Sequence, residues 1–294
     1  MTRTDDTCNI HQKSPSRRTA AIVHVFYSDA WPGLETAIKN IVACDMAGSV
    51  DVFITYPETK PEWRIMLADT FPRARIEPVA NRGWDGWPFI KFLNEIDLRT
   101  YDYIVKLHSK RDVSEFWVNF HRFRGNAWRR ELLSFCSTPA AARRTFTAFA
   151  NQPLLGMVAS ERMIDPICGG TWKPKDVERQ ENLLRGLGLE PREKTVVYGT
   201  MFAMRASLLM PLWRQYVEED FVGVQSENPH ADYGLAGDLE IMFGLLVRAQ
   251  GCYVSSGYLP AWAVPLFYSL KGGLFRVARF LSDVLRRLTK KRLA

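Results

Sequence analysis

The sequence predicts an α/β protein in which a mainly parallel sheet is covered by helices on both faces. Apolar, β-rich runs alternate with runs whose apolar residues recur at helical spacing, the pattern of strand–helix–strand units. The chain has 294 residues, of which 47% are hydrophobic, so it can bury a sizeable core. No repeat and no long linker divides it. We therefore expect one domain over 19–270, after a disordered leader at 1–18 and before a basic segment at 271–294.

The first half of the chain carries the clearest alternation. TAAIVHVFY at 19–27 predicts the first strand, and apolar residues at helical spacing predict a helix over 32–45, where Pro32 is tolerated in the first turn. The same reasoning predicts strands at 50–56, 74–80 and 102–108 and helices at 61–71 and 86–96.

The second half is less regular. It predicts helices at 126–137, 140–152, 175–188, 236–249 and near 206–219, and strands at 154–160 and 195–205. The type of each element is a firmer prediction than its ends.

The basic charge is concentrated at the end of the chain. The formal net charge is +7, and Lys271 to Ala294 contains eight basic residues and one acidic residue, so residues 1–270 are neutral overall. A nucleic-acid-binding domain usually carries basic charge on its folded surface. The distribution therefore argues against a nucleic-acid partner.

The basic segment has the pattern of an amphipathic helix. One face would be apolar, formed by Leu274, Val277, Ala278, Leu281, Val284, Leu285 and Leu288. The other would carry Arg276, Arg279, Asp283, Arg286, Arg287 and Lys290. Such a helix is typical of segments that lie on an anionic membrane surface, and Gly272 and Gly273 would provide a flexible joint. The alternative is a helix packed on its own domain or on a second subunit of a homodimer.

Cysteine use and the N-terminal sequence predict a cytoplasmic location. The five cysteines are widely spaced and form no CxxC pair, which is typical of a reducing compartment. The first residues are polar and lack the apolar stretch of a signal peptide. Together with the amphipathic segment, this predicts a protein peripheral to the inner face of the plasma membrane.

Polar residues follow three of the predicted strands. Tyr27 and Asp29 follow the first, the stretch 81–89 follows the third, and the stretch 108–112 follows the fourth. In open parallel sheets, ligands bind beyond the carboxyl ends of the strands. Asp29 is also explained as a helix cap and the glycines as turns, but three such ends on one edge favour a site.

Five ordered segments, NRGWDGWPF, YDYIVKLHSKRD, WRRELL, YGTMFAMR and GDLEIMFG, resemble the rhamnan synthesis protein F family. The resemblance implies a GT-A-like glycosyltransferase of cell-surface polysaccharide or lipopolysaccharide synthesis. Its donor would be a dTDP- or UDP-linked sugar, rhamnose or another hexose, and its acceptor a lipid-linked glycan. The alternative is a non-catalytic carbohydrate-binding or scaffolding subunit.

The sequence departs from that fold at the fourth strand. GT-A enzymes usually have a DxD motif there that holds a divalent metal, and this chain has His108, Ser109 and Lys110 instead. We expect Lys110 to neutralise a diphosphate directly and the enzyme to need no metal. Asp112 lies near enough in sequence to leave a role for Mn²⁺ or Mg²⁺ open.

The family pattern also suggests roles for other residues. The expected donor-side residues are Tyr27, Asp29, Asn81, Arg82, Gly83, Asp85, His108, Ser109 and Lys110. Trp84 and Trp87 are candidates for stacking on a base or sugar, or for the core.

Glu240 is the expected base, with a pKa raised by partial burial. Asp238 is the alternative, although it is also explained as a helix cap. Gly199, Thr200 and Glu161 are expected on the acceptor side. His24 is expected to be a core histidine.

Overall fold

The computed structural model describes residues 17–166, 174–192, 194–221, 234–260, 262–264, 266–274, 277 and 281, with only the backbone at 174–177. Residues 1–16 of the predicted leader, which was 1–18, and most of the basic segment after 274 therefore lie outside the described residues, and the first strand already begins at Arg18. Within these ranges, no helix combines the length and apolar character that crossing a bilayer requires.

The strands, in chain order, are β1 (Arg18–His24), β2 (Ser49–Pro57), β3 (Arg75–Val79), β4 (Tyr103–His108), β5 (Val113–Val118), β6 (His121–Gly125), β7 (Leu155–Val158), β8 (Ile164–Asp165), β9 (Val196–Val197), β10 (Phe202–Arg205) and β11 (Tyr253–Ser255). The α-helices are α1 (Trp31–Val42), α2 (Trp63–Thr70), α3 (Gly86–Glu95), α4 (Ala127–Leu132), α5 (Pro139–Asn151), α6 (Pro174–Gly186) and α7 (Gly234–Ala249).

Seven strands form one mainly parallel sheet in the order β11-β7-β10-β4-β1-β2-β3. β1 pairs in parallel with β2 and β4, whereas β10 runs antiparallel to both β4 and β7. Successive residues of β1 alternate between two cores. Ala20 and Ile22 pack with α3 and α7, whereas Ala21 and Val23 pack with α1, α2 and α5. The predicted sheet, covered on both faces, is confirmed.

After β4 the structure differs from the prediction in several places, and the short strands β8 and β11 are among the unpredicted elements. The predicted strand at 195–205 is broken, because Gly199 and Thr200 have φ of +76° and +49° and separate β9 from β10. The predicted helix near 206–219 is instead a 3-10 helix, Ala206–Leu212, that contains Pro211, and a second short one, Glu218–Asp220. The hairpin of β5 and β6 was not predicted.

The helix at 266–274 is continuous through Gly272 and Gly273. The expectation of a flexible joint at these two glycines is therefore wrong. Tyr268 and Lys271 hold the helix to the domain, because the tyrosine hydroxyl donates to Glu161 Oε2 at 2.7 Å and the lysine ammonium donates to Glu161 Oε1 at 2.9 Å.

Candidate functional site

Four elements meet at the carboxyl end of β4. His24 and His108, the last residues of β1 and β4, are partners in the sheet register. Because β10 is antiparallel, its first residues arrive at the same edge, with Phe202 opposite Lys106. The amino end of α3 and the middle of α7 complete the wall.

A buried ion pair stands at the centre. Lys106 has a side chain only 2% exposed, and its ammonium donates to the Asp85 carboxylate and to Thr200 Oγ1, the latter at 3.0 Å. The ammonium also lies over the rings of Phe89 and Phe243. Burial lowers the pKa of Lys106, and the Asp85 carboxylate partly offsets this.

Asp85 faces three basic side chains. Besides Lys106, its Oδ1 lies 3.7 Å from Lys110 Nζ and 3.5 Å from His108 Nδ1. Burial would raise the pKa of Asp85, but the surrounding positive charge, which includes Lys106 and Lys110, lowers it by more, so it lies well below its usual value. Burial likewise would lower the pKa of Lys110, but Asp85, Glu240 and Tyr27 raise it overall. Asp85 and Lys110 are therefore both charged at neutral pH.

His108 is held by the turn before β10. Its Nε2 lies 2.8 Å from the Gly199 carbonyl, which can only accept, so Nε2 carries the proton and Nδ1 is the acceptor facing Asp85. Burial lowers the pKa of His108 well below its usual value; the Asp85 carboxylate opposes this shift, whereas Lys106 and Lys110 act in the same direction as burial. The imidazole is therefore neutral.

The turn at Gly199 and Thr200 contacts three site residues, His108, Asp85 and Glu240. A Cβ on Gly199 would lie 2.5 Å from Leu132 Cδ2, and its positive φ also favours glycine. Thr200 is β-branched at a φ of +49°, a costly conformation for such a residue. Its hydroxyl donates to Asp85 Oδ2 at 2.9 Å, and this bond compensates part of the strain.

Glu240 forms the opposite wall of a small pocket. Its Oε1 accepts the Gly199 backbone N–H at 3.1 Å. The cavity has a volume of about 60 Å³. Its lining residues are Gly83, Trp84, Asp85, Gly86, Lys106, Lys110, Thr200, Ala236, Leu239, Glu240 and Phe243. Pockets that enclose a whole ligand hold roughly 300–1,000 Å³, so this one suits the reacting end of a substrate.

Two larger hollows, each about 500 Å³, lie elsewhere on the described surface. One is formed by α6 and residues 215–216, and the other by α5 and residues 257–260. Neither contains a buried cluster of charges like that around Asp85, so the smaller pocket is the better candidate for chemistry.

The turn before α3 brings the backbone close to the site. Gly83 has a φ of +55°, and a Cβ there would lie 2.4 Å from Phe221 Cδ1. The two tryptophans separate: Trp87 is 8% exposed and packs in the core, whereas Trp84 is 38% exposed beside the pocket. Of the two, Trp84 is the one placed to contact a ligand.

Other expected donor-side residues build the edge of the site. The Ser109 hydroxyl accepts the backbone N–H groups of Phe26 and Tyr27 at 2.7 and 3.0 Å, so it ties β4 to the loop after β1. Asp29 and Asp112 both pair with Arg129 of α4. Tyr27 lies in the loop after β1, and its ring packs edge-on against Phe26.

Four further expected site residues belong neither to the pocket nor to the edge described above. Arg82 donates to the Phe221 carbonyl at 3.3 Å, and Asn81 is exposed. Asp238 is the fifth residue of α7 rather than its cap, and it pairs with Arg179 at 2.7 Å. The expectation of a helix cap at Asp238 is therefore wrong. Glu161 pairs with Tyr268 and Lys271.

Lys106 was missed by the sequence reasoning, although the sequence carries a signal for it. A lysine inside an apolar strand needs an acidic partner, because burying an uncompensated charge is costly. Lys106 and His108 also occupy alternate positions, which places them on one face of β4, and Lys110 follows two residues after the strand ends. His24 is confirmed as a core histidine, since its Nδ1 contacts Thr55 Oγ1 at 2.9 Å.

The carboxylates near the end of β4 do not fit a divalent cation. Asp85 is already paired with Lys106 and Lys110, and Asp112 is paired with Arg129. In the part of the chain that the structure describes, no group of three His, Cys, Asp or Glu side chains is arranged to hold a metal ion.

Comparison with known proteins places the chain among polysaccharide-synthesis proteins. Residues 4–251 match the family described as rhamnan synthesis protein F. Two relatives, both described as uncharacterized protein WxcX from strains of Xanthomonas campestris pv. campestris, are each 27% identical over 244 residues. The match covers 83% of this chain and 33% of each relative, so the chain spans about a third of the length of the curated relatives it matches.

Proposed function

Because the chain belongs to the rhamnan synthesis protein F family, we propose that it is a glycosyltransferase of GT-A-like fold acting in polysaccharide synthesis. It would move rhamnose or another hexose from a dTDP- or UDP-linked donor to a lipid-linked polysaccharide or lipopolysaccharide acceptor. We place this activity at the inner face of the plasma membrane. The observation that carries the proposal is the pocket in which Glu240 and Lys110 face each other across the ends of β4 and β10.

The pocket supplies the two groups that an inverting transfer requires. Glu240 takes the proton of the acceptor hydroxyl as that oxygen bonds to the anomeric carbon. The bond from the anomeric carbon to the diphosphate oxygen breaks, and its electron pair leaves with the nucleoside diphosphate. Lys110 is charged and placed to stabilise that leaving group in place of a metal.

Asp85 has a different role in this proposal. Its pairing with Lys106 and Thr200 fixes the position of the carboxylate. Its Oδ1 lies 3.7 Å from Lys110 Nζ in the pocket lining and can accept a hydrogen bond from a sugar hydroxyl. Binding a hydroxyl there orients the sugar with respect to Glu240.

The proposal is tested with the full chain and a panel of dTDP- and UDP-linked hexoses. Release of nucleoside diphosphate, with and without a lipid-linked glycan extract, measures donor cleavage and transfer. Glu240→Gln should lower kcat by about 10²–10⁴-fold with little change in the KM for the donor, because the base is lost and the donor contacts remain. Glu35→Gln, a helix-surface glutamate paired with Lys39, is the matched control.

Two results would overturn it. If the wild-type chain cleaves no donor in the panel with acceptor present, the chain is a non-catalytic subunit. If Glu240→Gln turns over like Glu35→Gln, Glu240 is not the base. Assays in excess EDTA test the metal: activity should persist, and strict dependence on added Mn²⁺ or Mg²⁺ would remove Lys110 from the proposed role.

A further inference from the structure

The β5–β6 hairpin exposes aromatic side chains at its tip. Trp117 and Phe120 are each 59% exposed. Asn119 and Phe120 form the turn with φ of +48° and +63°, and a bulky residue at positive φ lowers stability. Because these side chains are mostly exposed, packing in the core does not account for the aromatic residues at the tip.

The C-terminal helix exposes an apolar stripe. Residues 266, 270 and 274 are leucines four positions apart, so they share one face, and each is more than half exposed. Phe267 is also exposed, as are the helical residues Val277 and Leu281. A helix of a water-soluble domain normally buries such a stripe.

Both elements are anchored to the same short segment. Asn119 Nδ2 of the hairpin donates to the Arg162 carbonyl at 2.9 Å, and Lys271 Nζ of the helix donates to the Glu161 carbonyl at 2.8 Å. Burial lowers the pKa of His121 on the hairpin, and Arg162 and Lys271 lower it further, so Lys271 lies within electrostatic range. The two apolar surfaces are therefore neighbours. We call them together the hairpin–helix face, defined by Trp117, Phe120, Leu266, Phe267, Leu270 and Leu274.

The charge around this face is basic. In the hairpin, Arg122 and Arg124 share the single carboxylate of Glu115. The helix leads into a sequence, 271–294, with eight basic residues and one acidic residue. A second copy of the chain would bring the same positive charge and a neutral remainder, which is poor complementarity. An anionic bilayer offers both an apolar layer and negative charge.

We propose that the hairpin–helix face is a membrane-contacting surface that inserts its aromatic and leucine side chains at the headgroup level of an anionic bilayer. β5 begins at Val113, three residues after Lys110, so the hairpin that carries part of the face follows directly on a segment that lines the pocket. This inference rests on the proposed function in one respect: it would bring the pocket to the depth at which the sugars of a lipid-linked acceptor lie.

Vesicle co-sedimentation tests the surface without measuring activity. The full chain is mixed with phosphatidylcholine vesicles that either contain or lack phosphatidylglycerol. The wild type should bind the anionic vesicles, and W117S/F120S and L270S/L274S should each weaken binding by at least about tenfold, because each removes apolar area that burial would stabilise. Ile65→Ser, at a residue of α2 that is 70% exposed, is the control and should bind like the wild type.

Specific outcomes would overturn the proposal. If W117S/F120S binds anionic vesicles like the wild type, the hairpin is not part of the surface. If light scattering shows that the wild type is a dimer that these variants convert to a monomer, the face joins two copies instead. If vesicle binding follows the prediction but no donor is cleaved in solution, the surface stands and the proposed function fails.

Discussion

The pocket and the hairpin–helix face each reverse the usual placement of side chains. The pocket buries charge, with Lys106 and Asp85 inside the domain, whereas the face exposes Trp117 and Phe120. The buried charges of the pocket are compensated within the domain, because each has an opposite charge or a hydrogen-bond partner nearby. The face leaves its apolar side chains largely in contact with water in the described residues. The fold itself therefore compensates the pocket, whereas the bilayer proposed above would cover the face.

The largest effect on this comparison is expected when one charge of the buried ion pair in the pocket is removed. Asp85→Asn leaves Lys106 buried without its carboxylate, and we expect a loss of about 3 kcal/mol in the free energy of unfolding. Asp45→Asn is the control, because Asp45 and Arg143 form an exposed ion pair, and such pairs contribute roughly 0–1 kcal/mol. Urea unfolding measures both. Equal losses would mean that the buried pair is not structurally important.

Acid should affect the interior more than the face. Burial lowers the pKa of His24 to about 4 from 6.5. Unfolding below pH 6.5 therefore takes up a proton, and the free energy of unfolding decreases as the pH falls from about 6.5 to about 4, by about 3 kcal/mol for this group. His108 contributes in the same direction.

His24→Gln should remove about 1.4 kcal/mol per pH unit from the slope in that window. His121→Gln, on the hairpin, should change the slope much less because His121 is less buried. Urea unfolding at several pH values compares them. A slope unchanged in His24→Gln would show that His24 is protonated in the native state.

A backbone change in the pocket should have a smaller effect. Gly199→Ala puts a Cβ against Leu132 at positive φ, and we expect a loss of about 1–2 kcal/mol and lower turnover, since the Gly199 carbonyl orients His108. Gly186 lies at the end of α6, where an added Cβ would meet no neighbouring atom within 4 Å, so Gly186→Ala should not destabilise the protein. If the two variants unfold alike, the turn is not under the constraint described.

Substitution on the face should change stability least. Trp117→Ser should shift the free energy of unfolding by less than about 0.5 kcal/mol, because the indole is largely exposed. Thermal unfolding gives the comparison with Trp87→Ser, whose buried ring should cost several kcal/mol, about 3 or more. A large loss in Trp117→Ser would assign the hairpin aromatics to folding rather than to binding.

The first half of the fold follows from the sequence because its signals are local. Apolar alternation gives β1 to β4 and helical spacing gives α1 to α3, each within a few residues of its observed ends. The β5–β6 hairpin escaped prediction because its turn residues, Asn119 and Phe120, lack the glycine that usually marks a turn at positive φ. The break at Gly199 escaped because most of the residues from Val196 to Met204 are apolar and resemble one continuous strand.

The site was predicted in outline rather than in its pairings. Strand-end reasoning and the family resemblance named Asp85, His108, Lys110, Thr200 and Glu240, which the fold brings together. Asp238 and Glu161 could not be separated from them, because the partners that occupy them, Arg179 and Lys271, lie far away in sequence. Partner choice over such distances depends on the tertiary structure and is not encoded in local pattern.

β10 pairs with β4 but comes much later in the chain, and this sets the order in which the parts of the pocket are made during synthesis. Thr200 lies 94 residues after Lys106, so at roughly 5–20 residues per second the ribosome adds it about 5–20 s later. During that interval β4 has an open edge, and Lys106 lacks the threonine that closes its ion pair with Asp85. The pocket is therefore a late product of translation, and a chain stopped before β10 would have the parallel half of the sheet without a site.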